Sequence, residues 1–321
     1  MLLWPVTVVV RYKMNRDSLE SLVRIVSEEI HRGLNLVPQA GASVACPWCA
    51  QVCGGHCATE VNRMVQVGAS RVSVLAPDAS IDRSIASLID HTLLKADAGY
   101  EDIRKVCDEA KQYGFASVCI NPSMVSLASG FLANSAVKVC TVVGFPLGAT
   151  LAEVKAFEAE ASIVNGAQEI DMVLNIGALK SKDLAAVSQD IHSVVRVCHA
   201  HDAICKVIIE TAYLTDEEKI SACSLAKACG ADFVKTSTGF GPSGASAQDV
   251  ALMRSVVGED VGVKASGGIR DWKMLQKMVQ SGATRIGASA SVKILQEAKS
   301  QMPAANLPVP VGEGRTGNDY Y

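Results

Sequence analysis

Between residues 82 and 300 the chain alternates short apolar, β-branched runs with longer stretches whose apolar positions recur every three or four residues. The first pattern is that of strands, the second that of amphipathic helices. The predicted strands are SLIDHTLL (87–94), ASVCINP (116–122), VKVCTVVGFP (137–146), EIDMVLNI (169–176), KVIIETAYL (206–214), FVKTSTG (233–239), GVKASGG (262–268) and TRIGAS (284–289). Helices predicted between them include LAEVKAFEAEASIVNGA (151–167), TDEEKISACSLAKACGA (215–231) and DWKMLQKMVQSGA (271–283), most ending in a Gly-Ala stop. Eight strands, each followed by a helix, in about 220 residues is the count of a (β/α)8 barrel. The chain is therefore predicted to be an α/β protein with a TIM barrel over 81–300. A doubly wound sheet is the alternative, though it rarely needs eight such regular units.

Residues 1–80 do not keep this rhythm. In DSLESLVRIVSEEIHRGL (17–34), Leu19, Leu22, Val23, Val26 and Ile30 fall on one face of a helix. Asp17 and Glu20 form a capping-box signature and Gly33 supplies a stop. NLVPQAGAS (35–43) reads as a flexible linker, so 1–43 is a helix with its tether. Residues 44–80 form a Cys-rich connecting segment and 301–321 a flexible tail, giving the barrel a small helical, Cys-rich N-terminal extension.

Composition narrows the function. Apolar residues make up 49% and charged residues 20%, with a net charge of -3, which offers no basic excess for nucleic acid. No apolar stretch approaches the ~18–20 residues of a membrane span. MLLWPVTVVV lacks the preceding positive region and the cleavage site of a signal peptide, so a cytoplasmic location is expected. Of eleven cysteines, Cys107, Cys119, Cys140, Cys198, Cys205, Cys223 and Cys229 are scattered through apolar segments and serve most simply as small core hydrophobes. The other four, Cys46, Cys49, Cys53 and Cys57, stand together in CPWCAQVCGGHC. Four thiols this close can meet one tetrahedral metal, yet the usual zinc arrangement separates two ligand pairs by a longer loop. A structural zinc, an iron–sulfur cluster and a metal-free segment all stay open.

The candidate chemistry lies in the predicted staves. Alternation sends Lys235 to one face and Val234 and Thr236 to the other, with Gly239 marking the C-terminal mouth where barrel active sites lie. Lys264 holds a similar place on the next stave, and strands ~4.8 Å apart put the two cations in range of strong repulsion. That repulsion favours a neutral, nucleophilic amine of the kind that forms Schiff bases. Asp171, set between Ile170 and Met172, is the carboxylate expected to face the lysines and relay protons. The glycine pairs of SGGIR and GASAS follow the last two strands, where barrels hold phosphate. Gly239, Gly267, Gly268, Gly287 and Ser289 are the expected contacts.

With IDHTLLKADA, YGFASVCINP, VVGFPLGA, NGAQEIDMVLNIGAL, KVIIETAYL, ADFVKTSTGFG, VKASGGIRD and GATRIGAS, the stretch from about Ile81 to Val292 resembles the 2-deoxy-D-ribose-5-phosphate aldolase family over its whole length. The resemblance implies a Schiff base on Lys235, pKa tuning by Lys264 and a proton relay through Asp171. It also implies reversible cleavage of deoxyribose 5-phosphate to acetaldehyde and glyceraldehyde 3-phosphate with no cofactor for catalysis, by a homo-oligomer. Some members have a lysine where Phe240 stands and a second serine where Ala290 stands, which puts part of the phosphate contact set in doubt. Many end in a tyrosine that reaches the site; here the end is Tyr320 and Tyr321, and Tyr321 is the candidate. Cys119 corresponds to a family cysteine near the site that aldehydes can trap, although core packing explains it as well.

The amphipathic 17–34 segment on its tether is similar to the encapsulation peptides of bacterial microcompartments, which implies shell or neighbouring enzymes as partners. A helix docked on the barrel and a membrane-surface helix are the alternatives. For the whole chain, a Schiff-base aldolase is the leading expectation. A related lysine aldolase on another sugar phosphate and a non-catalytic barrel scaffold are the competitors.

Overall fold

The computed structural model describes residues 83–301; the predicted helix at 17–34, Cys46, Cys49, Cys53, Cys57 and the terminal Tyr320 and Tyr321 lie outside them. Eight strands stand where the alternation predicts them: β1 (Ile89–Leu93), β2 (Ser117–Ile120), β3 (Lys138–Val143), β4 (Glu169–Val173), β5 (Ile204–Ile208), β6 (Phe233–Lys235), β7 (Gly262–Ser266) and β8 (Arg285–Ala288). All pair in parallel in chain order, and β8 pairs with β1 to close the barrel. The helices are α1 (Arg83–Ala86), α2 (Tyr100–Tyr113), α3 (Val125–Phe131), α4 (Ala152–Val164), α5 (Ile176–Lys180), α6 (Leu184–Ala200), α7 (Asp216–Ala228), α8 (Ala247–Val257), α9 (Trp272–Gln280) and α10 (Ser291–Gln301). Among the described residues no helix is long and apolar enough to cross a membrane.

Local chemistry sets the helix starts. At α7 the Thr215 hydroxyl accepts from the Glu218 N–H, and the Glu218 carboxylate accepts in return from the Thr215 N–H. Asp271 caps α9 by accepting from the Met274 N–H at 2.8 Å.

Two interiors result from strand alternation. Outward side chains such as Val118, Ile170, Val207, Val234, Val263 and Ile286 pack under the helices in one apolar core. Each such burial contributes about 1.5–3 kcal/mol. The opposite faces of the same strands carry Asp90, Glu169, Asp171, Lys206, Lys235 and Lys264, all buried. A charged lumen of this kind persists only if its charges pair. Its N-terminal floor is Phe233, whose ring occupies the space a side chain on Gly262 would need: a Cβ there would lie 2.2 Å from Phe233 Cε1. The Arg285 guanidinium lies 5.3 Å from the centroid of that ring.

The predicted strands run too long at their C-terminal ends. The β5 ladder stops at Ile208, Glu210 turns into the left-handed region at φ 55°, and Thr211–Tyr213 form a single 3-10 turn. The β6 ladder stops at Lys235, and TSTG becomes the wall of the mouth. Of the seven cysteines expected in apolar surroundings, Cys229 is half-buried and the other six are buried, all with free thiols.

Candidate active site

Lys235 and Lys264 are register partners on β6 and β7, as the alternation predicts. Asp171 reaches them from β4. Its Oδ2 accepts from Lys235 Nζ at 2.7 Å and from Lys264 Nζ at 2.6 Å. Its Oδ1 accepts from Lys206 Nζ at 2.8 Å and from the Cys140 thiol at 3.2 Å. Asp171 is fully buried and Lys235 is 2% exposed, so the cluster lies down in the lumen, below the rim where the sequence reading set it.

A second tier supports the first. Lys264 Nζ also lies 2.5 Å from Asp90 Oδ2. Arg285 Nη1 joins Asp90 Oδ1 at 2.7 Å and Glu169 Oε2 at 3.0 Å, and Lys206 Nζ joins Glu169 Oε2 at 2.7 Å. Ser117 donates its hydroxyl to Asp90 Oδ1 at 2.7 Å. Lys206, Asp90, Glu169 and Arg285 were not among the predicted site residues. Their signal was parity: Glu169 stands two residues before Asp171, and each of the four is a charge within a predicted strand or at its edge.

These partners decide the charge states. Burial alone would push the Asp171 carboxyl up, but the ammonium groups of Lys206, Lys235 and Lys264 hold it well below the usual carboxylate range. Asp90 is likewise lowered against its burial by Arg285, Lys264 and Lys206. Burial would lower Lys264, yet Asp171 and Asp90 raise it above the ordinary lysine value. Repulsion between two lysines had been expected to depress such an amine. The structure corrects that for Lys264, because carboxylates from β1 and β4 reach the space between the cations.

The predicted phosphate contacts divide. Gly239, Gly267 and Gly268 stand beyond the ends of β6 and β7, with φ of 88°, 86° and 77°. Gly287 lies inside β8, where a Cβ would come 3.2 Å from Lys264 Cε and 3.0 Å from Ser266 Cβ. Its bare Cα makes room for the lysine. Ser289 is exposed after β8, on a cavity of about 550 Å3 that His91, Thr92, Lys95, Lys105 and Lys293 also line. Phe240 is exposed at the mouth and meets Phe145 edge-on, ring centroids 5.3 Å apart. Glu210 accepts from the N–H and the hydroxyl of Thr238 and so ties the end of β5 to the segment that follows Lys235.

Opposite the lysines, Leu94, Cys119, Cys140 and Val142 form a small apolar cluster of their own, with Phe145 packed against it. Cys119 and Cys140 are register partners on β2 and β3. The site therefore combines paired amines, one shared carboxylate and a short apolar wall. Such a set can form an imine with a small carbonyl compound and move protons beside it.

The profile of the DeoC/LacD family of aldolases matches residues 84–298. A deoxyribose-phosphate aldolase of Caldanaerobacter subterraneus subsp. tengcongensis is 59% identical over 219 residues, 68% of this chain and 95% of that protein. One of Halalkalibacterium halodurans is 58% identical over 222 residues, 69% of this chain and 99% of that protein. Among solved structures, the tetrameric deoxyribose phosphate aldolase of Aeropyrum pernix superposes with a TM-score of 0.65 at 34% identity, over 75% of this chain and 99% of the other. With its barrel matched from the first strand to the last helix, the chain belongs to the DeoC/LacD family of aldolases.

Proposed function

We propose that this chain is a class I aldolase that reversibly cleaves 2-deoxy-D-ribose 5-phosphate to acetaldehyde and D-glyceraldehyde 3-phosphate, with Lys235 as the Schiff-base amine. The observation that carries the reading is the pair of lysines sharing one oxygen of Asp171 in a lumen sealed from solvent. Among the described residues, the ion-pair partners of Lys206, Lys235, Lys264 and Arg285 are Asp90, Glu169 and Asp171, four cations against three carboxylates. Carboxylates hold Lys264, Lys206 and Arg285 charged, and the choice of Lys235 as the reacting amine rests on the resemblance to the deoxyribose-phosphate aldolases together with its place on β6 beside Asp171.

In the cleavage direction the Lys235 amine adds to the C1 aldehyde of the open-chain sugar, and loss of water gives the iminium. The C3 hydroxyl gives up its proton, the C2–C3 bond breaks, and its electron pair moves into the enamine. Asp171, through a water, takes and returns these protons. Protonation at C2 and hydrolysis release acetaldehyde and restore the amine. The imine is its own electron sink, so the cycle calls for no metal or organic cofactor. The Leu94, Cys119, Cys140 and Val142 wall suits the two-carbon donor, which has only a methyl group to bury. The phosphate is received by Gly239, Gly267, Gly268 and Ser289, with Gly287 acting through the room it leaves for Lys264. Tyr321, outside the described residues, is the further catalytic candidate carried over from the family resemblance. Homo-oligomer formation is supported by the tetrameric relative.

The N-terminal extension has a separate role. Its 17–34 segment directs the enzyme to a bacterial microcompartment, a reading that rests on the five-residue apolar face and the tether at 35–43. The spacing of Cys46, Cys49, Cys53 and Cys57 supports a structural site for zinc or an iron–sulfur cluster, with a metal-free segment as the other reading.

The test of substrate is direct. Full-length enzyme given 2-deoxyribose 5-phosphate releases acetaldehyde and glyceraldehyde 3-phosphate, and kcat/KM falls at least tenfold for ribose 5-phosphate. Faster turnover of another sugar phosphate would favour the related-aldolase reading, and release of no aldehyde from any of them the scaffold reading.

A further inference from the structure

Cys119 and Cys140 are unused by the imine chemistry, yet they are fully buried beside it. Their two sulfurs and a carboxylate oxygen of Asp171 all lie within 4.8 Å of one another. Cys140 already donates to Asp171 Oδ1 at 3.2 Å. Tetrahedral zinc with Zn–S bonds of ~2.3 Å and a Zn–O bond of ~2.1 Å holds its ligand atoms roughly 3.5–3.8 Å apart. Closing these three atoms onto one ion therefore needs shifts of about an ångström or less, within the reach of side-chain rotation on β2 and β3.

We propose that Cys119, Cys140 and Asp171 form a binding site for a thiophilic divalent cation, Zn2+ or Cd2+, at the floor of the active site, and that the bound ion excludes the aldehyde from Lys235. Two thiolates select such ions over Mg2+ and Ca2+, which prefer all-oxygen shells. The step balances without an outside reagent: the aquo ion forms two metal–sulfur bonds, two thiol protons pass to water, and the lumen's net charge does not change. Lys235 Nζ lies 2.7 Å from the other oxygen of Asp171. An ion on Oδ1 displaces the Lys206 ammonium, which now reaches Oδ1 at 2.8 Å and the Cys140 sulfur at 3.3 Å, and fills the space before the apolar wall. The binding stands on the three ligands alone; the exclusion of aldehyde rests on the Schiff-base reading above.

Cys46, Cys49, Cys53 and Cys57 would also take thiophilic ions, so the test uses the full-length chain with these four changed to Ser. Cd2+ is titrated while its thiolate charge-transfer absorbance is recorded, and acetaldehyde is trapped with borohydride at each point. The proposal predicts one equivalent of Cd2+ bound with the intensity of two thiolates. It predicts at least tenfold weaker binding in Cys119→Ser and in Cys140→Ser, and a loss of trapped adduct that parallels occupancy and is reversed by chelator. Mg2+ at the same concentration changes neither signal. Thermal melts identify a misfolded variant; if Cys140→Ser fails to fold, Cys119→Ser carries the comparison. Unchanged Cd2+ binding in a folded Cys119→Ser variant, or full adduct yield with the ion bound, overturns the proposal. Absence of adduct in metal-free protein overturns the Schiff-base reading instead, and leaves the difference in Cd2+ binding to decide the site.

Discussion

Asp171 is the residue on which the lumen depends, because its two oxygens meet three ammonium groups and a thiol. Lys264 in turn bridges Asp171 and Asp90. Lys264→Leu takes one ammonium from each of two buried carboxylates, which keep Lys206, Lys235 and Arg285, and is expected to cost less than the ~3–5 kcal/mol of a fully unpaired buried charge, read from urea unfolding. It also removes the fixed positive charge beside Lys235, so the residual activity should show a pH optimum moved upward. Lys235→Ala, by contrast, leaves three cations facing three carboxylates; it should abolish turnover with a smaller loss of stability. An unmoved pH optimum in Lys264→Leu would show that Lys264 does not act on Lys235.

The lowered carboxyls of Asp90 and Asp171 make a prediction about acid. Both stay ionised in the folded chain while their unfolded counterparts protonate near the ordinary value of ~3.9. Their contribution is therefore complete above that value and is lost as pH falls below it toward the folded values. The raised Lys264 works at the other end: its contribution is complete below the unfolded value of ~10.4 and is lost only as pH rises beyond it. Stability should be level between about pH 6 and 9 with respect to these groups and drop between about pH 4 and 2. Unfolding free energies across that acid range should fall less steeply in Asp90→Asn; an equal slope would remove Asp90 from the account.

Among the elements, strand identity was legible and strand ends were not. Runs such as EIDMV and GVKAS are bounded by turns and alternate in character, and the barrel follows from their number. IETAYL and TSTG continue the apolar and β-branched composition past the point where Glu210 reverses the backbone and Lys235 ends its ladder, so composition could not place the ends. The central lysines and Asp171 were legible as charges in buried strands. The second tier was missed because Asp90, Glu169, Lys206 and Arg285 become one network only when β1, β4, β5 and β8 close on each other. Floor packing belongs to the same scale. Gly262→Ala would put a methyl group against the Phe233 ring, and a cost of roughly 1–3 kcal/mol is expected. Shortening the ring in a Phe233→Leu, Gly262→Ala pair should return part of that cost, whereas strictly additive unfolding energies would show that the two positions do not meet.

In the whole molecule, the described barrel contains every group used in the proposed chemistry except Tyr321. Deleting residues 1–43 should therefore leave kcat/KM within a few-fold of the full chain. Fusing 14–40 to a fluorescent protein should carry it to microcompartments in a host that makes them; diffuse fluorescence beside intact shells would argue against a targeting role.

The central claim, that one lysine of the lumen bonds covalently to substrate, is tested most directly by reduction of the imine in place. Full-length enzyme is incubated with acetaldehyde and borohydride, digested, and the modified peptide mapped by mass spectrometry. The account predicts a single ethyl group on Lys235, absent when Lys235 is replaced by Ala and present in Lys264→Leu. An adduct on Lys264, or no adduct in the active wild-type enzyme, would contradict it.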